Sequence, residues 1–142
     1  MMKKRLTSLA LSAMMVLSMV PATAFAAKDA GTPPTYNSAT GCYEISTPAQ
    51  LLYLAGKWKD GAPRDGHYVL TADIDMTGVK GFKPIASKKA EGFTGTFDGQ
   101  FHSIKGLRVE YEKKYAGLFG YVGNQNDQAY IKNVALLDCY VT

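Results

Sequence analysis

Three aspartates are the residues whose type and placing best suit chemistry: Asp73 and Asp75 in the run Thr71–Met76, and Asp98 just before Gly99. Carboxylates gathered from neighbouring strands onto one face can divide acid–base work on a glycan between a protonated and an ionised member. Local bonding is the competing use. Asp73 follows a bend where its side chain can accept from nearby backbone N–H groups, and Asp98 precedes a glycine in a turn. That use accounts for both, so no catalytic residue is assigned. His67 and His102 each begin a strand-like run with no His, Cys or Glu at ligand spacing, so they read as rim histidines and no metal site is assigned. There is no G-x-S-x-G and no P-loop, and Gly117 and Gly120 of the GLFG run lack a following helix. No cofactor is expected.

Cys42 and Cys139 lie too far apart in the chain for a CxxC metal or redox motif. A disulfide between them would close a long loop and stabilise by roughly 4 kcal/mol on the chain-entropy model. Each sits in a strand-like run, however, where cysteine is an ordinary small core residue. The reading adopted is two unpaired, partly buried thiols, with the disulfide as the alternative. Trp58 could be a sugar-stacking platform, but its place on an apolar stripe makes it core.

The elements that must position these residues begin after an export signal. Lys3, Lys4 and Arg5 form a positive n-region, Leu9–Val20 is apolar but too short to span a bilayer, and Pro21 breaks any helix. Ala24-Phe25-Ala26 is a cleavage site that leaves Ala27 as the new N-terminus of a 116-residue chain. No second long apolar run follows, so no membrane attachment is expected after cleavage. Losing the three n-region cations lowers the net charge from +4 to +1. The remaining lysines alternate with acids in loops, a solvated rim that excludes a nucleic-acid partner. Residues 27–41, rich in Pro, Thr and Ser, read as a flexible leader.

From Cys42 onward, short apolar bursts alternate with glycine turns. A helix over residues 48–59 is well signed: Thr47 as N-cap, Pro48 at N1 and Gln50 at N3 give a T-x-x-Q capping box. Leu51, Leu54, Ala55 and Trp58 form its apolar stripe. A recurring burst then runs through Leu70/Ile74/Met76, Ile104/Leu107/Val109 and Ile131/Val134/Leu136, at intervals of 34 and 27 residues. Short strands are also expected at 82–85, 93–97 and 118–122. Such recurrence predicts an all-β protein, a right-handed parallel β-helix with Leu70, Ile104 and Ile131 in one interior column and the helix as an N-terminal cap. A β-sandwich of hairpins is the alternative. Residues 42–142 would form that unit, incomplete at its C-terminus.

The series Ile45–Leu51, Tyr68–Met76, Phe82–Ile85, Phe93–Gly99, His102–Ile104 and Ala116–Gly120 resembles the opening of the GLUG-motif β-helix domains. These occur in secreted and surface proteins of Gram-positive bacteria, including adhesin-like proteins and the N-terminal region of IgA-specific metallopeptidases. The resemblance covers about residues 42–142 and implies a right-handed β-helix displayed outside the cell. It carries over no catalytic residue, because the peptidases' H-E-x-x-H zinc motif is missing from this chain. The function it implies is a secreted or cell-surface module that is not itself an enzyme, with association to the cell wall among the expected locations. Loops 78–92, 110–116 and 123–129 would face a host or matrix protein or a glycan. Further β-helix coils or domains of a longer parent chain are the other expected partners. The alternative is the accessory N-terminal region of a larger exported enzyme, a metallopeptidase or a glycan-degrading enzyme, with catalysis beyond residue 142.

Overall fold

The computed structural model describes residues 31–56, 58 and 60–142. The signal segment, its cleavage residues Ala24, Ala26 and Ala27, and the start of the leader lie outside them. Residues 35–37, read as leader, form β1 (Thr35–Asn37), which pairs antiparallel with β2 (Cys42–Ile45). Two contacts hold this end of the leader down. Asn37 Nδ2 donates to Glu44 Oε1 at 2.7 Å, and the Tyr36 and Tyr43 rings approach to 4.9 Å.

Every later pairing between strands is parallel, and the isolated bridge Ala55–Ile85 is antiparallel. β3 (His67–Leu70), β5 (Thr96–Asp98) and β8 (Tyr130–Lys132) extend the first sheet in the order β1-β2-β3-β5-β8. β4 (Ile74–Asp75), β6 (Ser103–Lys105) and β9 (Ala135–Leu137) make a second sheet, and β7 (Arg108–Val109) with β10 (Tyr140–Val141) a third. The chain therefore lays down successive rows, with about thirty residues between strands that pair. Side chains alternate across the pleat, so in β3 to β7 one residue of each strand turns inward, joined in β3 by Leu70. Tyr68, Phe97, Ile74, Ile104 and Val109 are those residues, and all are buried.

Register is where the sequence reading fails in detail. Leu70 pairs with Ile45, whereas Ile104 stacks on Ile74 and Ile131 on Phe97. The expected column of Leu70, Ile104 and Ile131 does not exist. Leu70 ends β3, and the bend at residues 71–73 starts a different sheet at Ile74.

The expected all-β right-handed parallel β-helix is corrected too. The largest sheet is mixed because β1 enters antiparallel, the ladders run only two or three residues, and no solenoid closes among the described residues. Residues 82–85 and 118–122 form no strands; they touch neighbours through isolated bridges at Ile85–Phe119 and Phe93–Val122. The described residues make a small mixed fold: three short sheets with one short helix and a 3₁₀ turn at Lys89–Glu91.

The helix, α1 (Pro48–Tyr53), has Thr47 as its N-cap, with the hydroxyl accepting from Gln50 N–H at 3.2 Å. Buried Gln50 reaches back so that Oε1 accepts from Ser46 N–H at 2.8 Å, one residue before the cap. Its amide donates to Thr35 Oγ1 at 3.2 Å, tying α1 to β1. The helix is half the expected length. Beyond it Gly56 takes φ +84° and its N–H donates to Pro84 O, while its carbonyl accepts from Ser87 N–H. That bridging to another loop displaces the i→i−4 bonds which would have continued the helix. Leu51 and Leu54 still pack into the core.

Candidate functional site

The three aspartates serve the fold. Asp73 Oδ1 accepts from Ser103 N–H at 2.7 Å and from the Ser103 hydroxyl at 3.2 Å, thirty residues on, with His102 Nδ1 at 3.4 Å. Its bonding is thus between rows, where the sequence suggested a local turn. Asp98 Oδ1 accepts from Gln100 N–H at 2.9 Å and from Asn133 Nδ2 at 3.0 Å, and Oδ2 lies 3.3 Å from Lys132 Nζ. It closes its own corner and grips the next row together. Asp75 accepts from Thr77 N–H at 2.9 Å.

The protonation states follow from these donors. The backbone N–H of Ser103, then its hydroxyl, hold the Asp73 carboxyl below the usual carboxylate range, with His102 adding to them. Hydrogen bonds from Thr77 lower Asp75, and the Gln100 N–H, then Asn133 and Lys132, lower Asp98. A general acid needs its pKa raised toward neutrality, so all three are driven the wrong way for that role. Burial acts in the opposite sense on the Tyr68 hydroxyl, pushing it up while it donates to Pro63 O at 2.7 Å.

The other singled-out residues are scattered. His67 is exposed at the start of β3, away from the Asp73–His102 pair. Cys42 and Cys139 are free, half-buried thiols, and Cys139 Sγ lies 3.4 Å from Leu137 O. Among the described residues no three His, Cys, Asp or Glu side chains gather as a metal site would require. No helix among them is long and apolar enough to cross a membrane. Trp58 lies beyond α1, stacked on Phe93 at 6.0 Å, with Nε1 donating to Glu91 O at 2.7 Å. Gly120 packs where a Cβ would meet Ala86 O at 2.9 Å, which is a packing role.

Two surfaces remain that can act by contact. The first is the face of the last row. Ile131, Leu136 and Val141 occupy the same inward columns as Phe97, Ile104 and Val109, yet are 40%, 47% and 49% exposed where those are 0%. Tyr130, Leu137 and Tyr140 are exposed beside them, and the Arg108 guanidinium lies over the Tyr140 ring. The second is a cleft of about 760 Å³ on the flank, between Lys89 and the loop from Tyr121 to Ala129. Phe93 N–H donates to Tyr121 O at 2.9 Å and Gly123 N–H to Phe93 O at 2.7 Å, so the loop is hung on the core. Asn124 Oδ1 accepts from the N–H groups of Asn126 and Asp127, both at 2.8 Å, which fixes its tip. The sequence placed loop 123–129 on the surface but missed the rings beside it. Tyr115, at φ +67°, lays its ring 4.8 Å from that of Tyr121. A bulky residue at positive φ leaves no local sequence signal.

No protein-family model and no solved structure matches the chain. One likeness does. The chain is 32% identical over 116 residues to halomucin of Haloquadratum walsbyi, an alignment that takes in 72% of this chain and 1% of that protein. The chain thus spans about one hundredth of the length of the relative it matches. The likeness points to a secreted or surface-exposed protein.

Proposed function

We propose that this chain is a secreted or cell-surface module that works by contact as a structural or ligand-binding unit and not by catalysis. The observation that carries the reading is the open face of β8, β9 and β10, where Ile131, Leu136 and Val141 meet solvent while their column neighbours in the preceding row are buried. A surface of that kind suits a partner or a further row. The aspartates support the same reading, since their oxygens are engaged between rows. The halomucin likeness, confined to a small part of a very long protein, fits a module that occurs within larger chains.

The test pairs a binding screen with a search for turnover. The full chain, immobilised, is challenged with matrix proteins and a glycan array, and in parallel with peptide and polysaccharide substrates. Saturable retention of a ligand without turnover supports the reading. Hydrolysis or elimination that disappears in Asp73→Asn or Asp98→Asn would overturn it.

A further inference from the structure

The flank cleft carries an inference that rests on this contact reading and sharpens it to a ligand class. Tyr121 lines the cleft with an aromatic ring, and Tyr115 is braced against it from the exposed side. A tyrosine at φ +67° sits in a backbone region that bulky residues rarely adopt, so the surrounding structure imposes this ring placement. The amides Gln125 and Gln128 line the same cleft, Gln128 Oε1 accepting from the Tyr130 hydroxyl at 3.1 Å, and Lys89 and Asp127 supply one charge of each sign. A smaller hollow of about 330 Å³ shares Asp127 and Gln128 and continues to Arg64 and Asp65, again one charge of each sign.

This combination selects among ligands. Balanced charge gives no electrostatic pull on nucleic acid or a polyanion, whose binding depends on an excess of cations. An aromatic residue meets a lining that is otherwise largely polar, with Val122 and Ala129 the aliphatic exceptions, which suits a site that places a few directed hydrogen bonds around an aromatic surface. A pyranose matches it: its C–H face lies on a ring and its hydroxyls both donate to and accept from amides. Two adjoining hollows offer length for more than one sugar. We propose that the groove from Tyr121 to Arg64 binds a neutral oligosaccharide, with the Tyr121 face as its stacking platform and Gln125 and Gln128 reading hydroxyls.

The full chain is titrated by calorimetry with cellotetraose, maltotetraose and N-acetylchitotetraose, with polygalacturonate as an acidic control. At least one neutral tetrasaccharide should bind saturably. Tyr121→Ala should weaken that binding about tenfold and Gln125→Ala by about threefold, whereas Tyr121→Phe should keep it within about twofold. Gln125 is exposed, so its variant reports on binding without threatening the fold. Tyr140→Ala, on the open strand face, should leave the affinity unchanged. No saturable binding of any neutral tetrasaccharide up to about 10 mM, or binding insensitive to both Tyr121→Ala and Gln125→Ala, overturns the proposal. Retention of a matrix protein by a chain that ignores all three sugars would sink the saccharide site while leaving the contact module standing.

Discussion

Ile104 and Leu136 occupy one column in adjacent rows, paired in register, but Ile104 is fully buried and Leu136 is 47% exposed. Truncating both to alanine therefore measures what a covering row contributes. Ile104→Ala removes a fully packed side chain and should cost about 3–4 kcal/mol, within the range for buried aliphatic deletions. Leu136→Ala has roughly half as much burial to lose and should cost about 1–1.5 kcal/mol. Thermal and urea unfolding followed by circular dichroism would separate the two by about 10 °C in Tm for a domain of this size. Covering Ile131, Leu136 and Val141 would remove on the order of 200 Å² of apolar surface from water, about 5 kcal/mol gross. Association itself costs about 4–15 kcal/mol, so these three side chains alone sustain only weak self-association, and pairing of the strand edge must add to them. The chain should thus associate at high protein concentration, by light scattering, and Leu136→Lys should abolish this without lowering Tm by more than a few degrees. Equal costs for Ile104→Ala and Leu136→Ala in dilute solution, where the chain is monomeric, would refute the reasoning.

Acid should unfold the protein through its corner aspartates. Asp73, Asp75 and Asp98 have lowered folded-state pKa values, so the stability they supply is present above the unfolded value near about 4 and is lost as pH falls through the folded values. Tm should stay level from about pH 8 to 5 and decline below about pH 4, with a shallower decline in Asp98→Asn. Thr47→Ala removes the acceptor for Gln50 N–H and should cost about 1 kcal/mol in urea unfolding. Gly95→Ala would drive a Cβ into the Gly66 carbonyl, a backbone group that cannot swing aside, and should destabilise by about 1–3 kcal/mol or prevent folding. Tyr68→Phe removes one of the two donors to Pro63 O, leaving Gly66 N–H, and should cost about 1 kcal/mol in the same assay.

Alternation and turn chemistry were legible in the chain; register and enclosure were not. The strands at 42–45, 67–70 and 103–109 follow apolar alternation, and the start of α1 follows side-chain chemistry at Thr47 and Gln50. Register is different, because a slip of two residues keeps every side chain on its own face. Tyr68 and Leu70 both point inward, and composition alone does not say which should lie beside Phe97. The bend at 71–73 decides it, by ending one sheet and opening another. The length of α1 was hidden for a related reason. Its apolar stripe through Trp58 satisfies helical spacing, yet Gly56 finds backbone partners in a loop almost thirty residues away.

The same blindness to distant partners explains how the aspartates misled. An Asp-rich strand end reads equally well as an acid–base pair or as a turn, and both readings look only at neighbours in the chain. Asp73 bonds Ser103, and Asp98 bonds Asn133, so each carboxylate spans two rows. That placement is electrostatically sound at a corner, where backbone N–H groups would otherwise compete for water and an ionised acceptor strengthens each bond. It also has a consequence for function. A carboxylate committed to two donors in the resting protein must give up one of them to take a proton from a substrate, and its lowered pKa makes it a weak base. Gln125 on the flank, by contrast, carries no such duty: it is exposed, and Tyr121 anchors the loop through its backbone while lining the cleft. Contact chemistry belongs where side chains are held but not consumed, and in this fold that is the Tyr121 flank and the open strand face.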